Sequence, residues 1–264
     1  MLFRRRPPID ADEWEWQLAS FVWLEREYAD DAILHSRILA RPDGDEFPDT
    51  DAAGHALAEE LLRQVKVIAG VEHWPTDLVP MQQRPIAKSL SPGIAFAGGS
   101  GAAGTFQMVA GPDNLFRAEI HYAEEDLERP VDLVGTLAHE VAHYRLHKLR
   151  AHGPGGEDCE ELLTDLTAIW LGFGIMLGNQ ARYGLHTANE HGQWYTSGSR
   201  GYLSEGARMC AVAISETLAG RDPMAAAPYL KPYLVNDLTK ALRYIQSRDI
   251  RADMAAIDLA DYGA

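Results

Sequence analysis

From about Asp12 to Leu39, apolar residues recur at Trp14, Leu18, Phe21, Leu24, Tyr28 and Ile33. That helical spacing predicts an amphipathic helix ending before the turn-rich ARPDGDEFPDT. A second helix is expected from about Ala52, capped by Thr50 or Asp51, with Leu57, Leu61, Val65 and Ile68 along one face and Gly70 closing it. The HWP and LVP stretches that follow read as loop. Between Ser89 and Tyr122 the pattern shortens to GIAFAGG, TFQMVAG and FRAEIHYAE, apolar runs broken by glycine that predict two or three strands of a small antiparallel sheet. Helical spacing resumes after Pro130. It covers about Val131 to Arg150, Glu157 to Gly178, Ser204 to Leu218 (Ser204 as N-cap, Gly220 as stop) and Val235 to Ser247. The expected class is α+β and mostly helical, with an N-terminal helical region over 1–85 and a second region over 86–264, or one continuous domain across both.

Composition narrows the function classes. A chain of 264 residues with 46% hydrophobic content can fill a sizeable core. Its formal charge of −15 opposes a polyanionic partner, so neither a nucleic acid nor a membrane surface is expected. Arg4, Arg5 and Arg6 form the one basic cluster and read as a solvated tail. The residues after them, PPIDADEWEWQ, put acids and prolines where a signal peptide needs an apolar run, so a cytoplasmic protein is expected. The most apolar stretch, LTAIWLGFGIMLG from Leu166 to Gly178, is too short for a membrane span and reads as a core helix. Cys159 and Cys210 lack CxxC spacing and read as reduced thiols.

Two motifs carry candidate chemistry. Gly99, Gly101 and Gly104 in GSGAAG match a dinucleotide-binding fingerprint, but such a turn must open into a helix that receives the pyrophosphate. Here TFQMVA follows and stops at Gly111 and Pro112, so the glycines read as a loop between strands. The second motif is GTLAHEVAHYRLH, Gly135 to His147. On a helix His139 and His143 share a face, about 6 Å apart in rise, and Glu140 is rotated by about 100° from His139. Leu133, Val134, Leu137, Ala138, Val141 and Ala142 make this a buried helix, in which a charged Glu and two His need partners. A metal ion is one such partner; hydrogen bonds within an ordinary core helix are another, and a third ligand separates the two readings.

His147 is about 12 Å in rise from His139, too far for both to reach one ion through bonds of about 2 Å. The metzincin arrangement fails because positions 146 and 149 are both Leu. There remains the acidic segment GEDCEELLTD, in which Glu161 and Asp165 are four apart on one face and Glu161 follows His143 by 18 positions. Glu160 is the fallback ligand, and Glu157 reads as a charge favoured at a helix N-terminus.

HExxH followed at this distance by ExxxD resembles the gluzincin metallopeptidases over about Phe116 to Gly178. LAHEVAHYRL with TDLTAIWLGFG is also similar to uncharacterised bacterial proteins of this metallopeptidase-like kind. The resemblance implies a zincin-like core, with the small antiparallel sheet packed on the HExxH helix and a glutamate-bearing helix after it. It implies zinc held by His139, His143 and Glu161, with Asp165 orienting His139 from behind and Glu140 acting as general base toward a metal-activated water. FRAEIHYAE would be an edge strand for an extended peptide substrate. The oxyanion needs a second donor, to be sought among His186, His191, Tyr195, Arg200 and Tyr202, with Tyr202 the choice because it precedes a capped helix. The chain departs from one aminopeptidase branch in lacking a GxMEN-type motif, and its His-to-Glu spacing is slightly short. The expected function is a zinc-dependent hydrolase, a peptidase; the alternative is a non-catalytic zincin-fold binding or regulatory protein. A carboxylate-bridged di-iron site would need a second ExxH beside Glu140 to His143, and the sequence has none.

Overall fold

The computed structural model describes residues 6–81, 104–110, 116–149, 151–180 and 203–264. Helix α1, Ala11–Glu27, starts where the Asp10 carboxylate accepts from the Asp12 amide, and it buries Trp14, Leu18, Phe21, Trp23 and Leu24. The expected continuation to Leu39 is interrupted: the chain turns after Tyr28 and resumes as the short α2, Ile33–Ser36. Asp31 accounts for the break. One of its oxygens accepts from the Ile33 amide at 2.9 Å, and the other pairs with the buried Arg145 guanidinium. Helix α3, His55–Ile68, begins later than Ala52, with Gly54 at φ 60° as its N-cap instead of Thr50 or Asp51. Thr50 accepts from the Ala52 amide in the preceding turn. Gly70 ends this helix at φ 68°, in the left-handed conformation that glycine adopts at least cost.

The LVP stretch is not loop. It lies in β1, Thr76–Met81, which pairs in parallel with β3, Phe116–Ala123; β2, Gly104–Ala110, pairs antiparallel with β3 on its other side. The sheet is therefore mixed, in the order β1-β3-β2, rather than antiparallel. Pro80 is tolerated because β1 is an outer strand among the described residues, where a missing amide donor need not break a ladder. FRAEIHYAE is the central strand and not the edge. GIAFAGG and the glycine loop, apart from Gly104, lie outside the described residues.

Helix α4, Pro130–His147, carries the HExxH segment, with proline at its first position, where no amide donor is required. A single-turn helix, Gly156–Cys159, leads into α5, Glu160–Ala168; a π-helical turn, Ile169–Phe173, then joins α5 to α6, Gly174–Asn179. The helix expected over Glu157 to Gly178 is thus bent at Gly172, whose φ is 113°. A Cβ there would sit 2.1 Å from the Ile38 carbonyl oxygen. Carbonyls around the bulge take outside donors: Trp170 O accepts from Arg37 at 3.2 Å and Gly172 O from the Ala40 amide at 3.0 Å. By length and composition the run Gly156–Asn179 would pass for a membrane span, yet 89% of its apolar window is buried within the molecule.

Helix α7, Glu205–Leu218, starts at the expected cap, with Ser204 Oγ accepting from the Ala207 amide at 3.1 Å. It is followed by α8, Pro232–Ile245, and α9, Ile250–Ala255. One hydrophobic core runs from Trp14 and Val65 through Leu137 and Trp170 to Ile214 and Leu238. It joins residues from both of the regions expected on either side of position 85, and β1 and β3 join them again through the sheet. At its centre α4 packs against α3, α5, α6 and strands β2 and β3.

Candidate metal centre

Leu133, Leu137, Ala138, Val141 and Ala142 are buried on α4, which holds the helix at fixed depth and rotation. Arg145 anchors its C-terminal end: its guanidinium donates to Ala69 O at 2.6 Å, pairs with Asp31 and lies over the Tyr28 ring. His139, Glu140 and His143 consequently emerge where α4 faces α5, each less than a tenth exposed. From α5, Glu161 brings one oxygen to 3.2 Å from His139 Nε2 and 3.6 Å from His143 Nε2. The donor atoms of His139, His143 and Glu161 all lie within 4.8 Å of one another.

Both histidines are held from behind. His139 Nδ1 is 3.0 Å from Asp165 Oδ1, the partner that the resemblance implied. His143 Nδ1 is 3.3 Å from Thr164 Oγ1, which itself donates to Glu160 O at 2.8 Å and so has a lone pair for the imidazole N–H. With both Nδ1 atoms engaged, both Nε2 atoms are left to face Glu161. Two imidazole nitrogens and one carboxylate oxygen suit zinc, whose tetrahedral ligands lie roughly 3.4 Å apart. The residues present could therefore hold a metal ion. Glu160 does not share the position: its side chain is 57% exposed and lies 4.0 Å from His143 Nδ1, the nitrogen turned away from the centre. Glu157 is exposed at the helix start, and His147 is exposed against the edge of Phe106.

Charge balances within this cluster. Burial alone would depress the His139 pKa, but hydrogen bonds to Asp165 and Glu161 push it up to about 10. Burial would raise Glu161, yet the two imidazoles hold its carboxyl well below the usual carboxylate range. Asp165 is likewise held low against its burial by the Arg208 charge and by its bond to His139. Glu140 goes the other way, because burial outweighs the attraction of the two histidines and pushes its carboxyl up.

Sequence reasoning missed several contributors. Thr164 is the neighbour of Asp165 and could have been found by extending the helical face one residue. Arg208 and the Leu203 amide, both on Asp165 Oδ2, come from about forty positions downstream, and the only hint was a cation placed directly before the apolar run Met209 to Ile214. Gly104 lies against Glu140: a Cβ there would meet Thr136 Cγ2 at 2.7 Å and Glu140 Oε1 at 2.8 Å. Phe106 stacks on the His143 ring with centroids 6.2 Å apart. Tyr202 and the other oxyanion candidates, His186, His191, Tyr195 and Arg200, lie outside the described residues. Comparison with protein-family models, curated proteins and solved structures returns no match.

Proposed function

We propose that this protein is a zinc-dependent hydrolase of peptidase type, acting on a peptide or protein substrate in the cytoplasm, with Glu140 as general base. The observation that carries the reading is the convergence of His139 Nε2, His143 Nε2 and Glu161 on one point, with Glu140 on the next helical position. His139, His143 and Glu161 would hold a zinc ion, which when bound would supply Lewis acidity to activate a water and polarise a carbonyl. Glu140 handles the proton: its carboxylate takes one from the attacking water and gives it to the leaving amine.

A purely structural metal site would have no use for a buried glutamate beside its ligands, which favours catalysis over a binding role. Strand β2, at the edge of the described sheet and packed on α4, supports a peptide substrate that pairs through its main chain. The net charge of −15 weighs against a nucleic-acid partner. Tyr202 is our choice for the oxyanion donor.

Metal analysis of wild type and Glu140→Gln tests the reading. The expected result is roughly one zinc per chain in both and peptide hydrolysis in the wild type alone, since the base is not a ligand. Freshly purified wild type without zinc overturns it; zinc in both proteins with hydrolysis in neither favours the binding or regulatory alternative.

A further inference from the structure

We infer that Arg208 is a positioning residue for the metal centre: acting through Asp165, it fixes which nitrogen of His139 faces Glu161. The inference rests on the reading of His139 as a ligand. Asp165 is 1% exposed, so its charge must be matched inside the protein. Its two oxygens divide the partners. Oδ2 accepts from Arg208 Nη2 at 3.0 Å, Arg208 Nε at 3.3 Å and the Leu203 amide at 3.0 Å. Oδ1 is left to His139 Nδ1 at 3.0 Å.

A carboxylate paired with a guanidinium on one oxygen offers only an acceptor on the other, so His139 must present its Nδ1–H there, and Nε2 is the nitrogen that faces the centre. Arg208 is itself held in place. It is 4% exposed and donates through Nη1 to Leu177 O, at the end of α6, at 2.6 Å. Three donor atoms of one planar group thus reach two elements, an arrangement a lysine cannot reproduce. The residues that follow on α7, Met209 to Ile214, are all buried and without charge, so a cation here is costly unless its partner needs it.

A salt bridge serving only to hold α7 would leave metal binding untouched, and that difference can be measured. Zinc affinity is read by chelator competition in wild type and Arg208→Met, and again with Asp165→Asn in both. The exchange of the His139 Nδ1–H with water is followed by NMR in the zinc-loaded wild type and Arg208→Met. Arg208→Met should weaken zinc about ten- to a hundredfold, as loss of partners behind a ligand does elsewhere, and should speed that exchange. On the Asp165→Asn background the same change should alter affinity less than about twofold, because its route to the metal is gone.

Where Arg208→Met does not fold, Arg208→Gln, which keeps a donor and removes the charge, carries the same comparison. A folded variant with wild-type zinc affinity, or an equal loss on both backgrounds, overturns the inference while leaving the zinc reading intact. A wild type that takes up no zinc overturns both.

Discussion

At the scale of single residues the centre depends on which of two adjacent glutamates turns inward. Glu160 and Glu161 are chemically equal, and helix rotation separates them by about 100°. Only Glu161 reaches both Nε2 atoms, whereas Glu160 keeps to solvent. Glu161→Ala is therefore expected to abolish stoichiometric zinc binding, while Glu160→Ala keeps it within about twofold, given that one of three protein ligands is lost only in the first. Atomic absorption on the two purified variants decides, and equal zinc in both would contradict the assignment. The ligand pattern was legible because HExxH and ExxxD both follow the four-residue repeat of one helix face. Arg208 was not, since nothing local relates positions 165 and 208.

Among the elements, the long apolar stretch after Glu157 shows where periodicity stops being informative. It reads as one helix, and its residues would all tolerate one, yet the chain bends at Gly172 because residues 37–40 cross it there. The bend separates α5, which carries Glu161 and Asp165, from α6, which packs against α4 and α7. Gly172→Ala would place a methyl 2.1 Å from the Ile38 carbonyl oxygen at a positive φ. A loss on the order of 3 kcal/mol is expected in urea unfolding, from strain and displacement of the crossing segment together. A change below about 0.5 kcal/mol, typical of an unconstrained surface position, would show that the bulge relaxes freely. The misread LVP strand has a similar origin: a proline is compatible with a strand at the outside of a sheet, and that place, which β1 takes among the described residues, is set by pairing with β3 some forty positions away.

Over the whole molecule, one buried core ties stability to groups far from the centre. Cys210 is 1% exposed on α7, and burial, with Glu13 and Asp237 adding to it, pushes its thiol pKa far up. The folded protein then keeps a proton that the unfolded chain releases above about pH 8.5. Stability contributed by this thiol is complete below that value and falls as pH rises through it, by at most about 1.4 kcal/mol per pH unit. Urea unfolding between about pH 8 and 10 should accordingly fall less steeply for Cys210→Ala than for wild type, and parallel curves would refute this.

The sequence by itself determined the helix that offers two histidines, the acidic helix that answers it, the Ser204 cap and the mostly helical class, because these depend on spacing within about twenty residues or on local capping. Tertiary structure alone decided that β1 joins β3 in parallel and that Gly172 breaks a helix. It also decided that Gly104 lies against Glu140 and that Arg208 stands behind Asp165. Each of these joins segments distant in the chain, and such contacts are set by how the core packs, which no local period records.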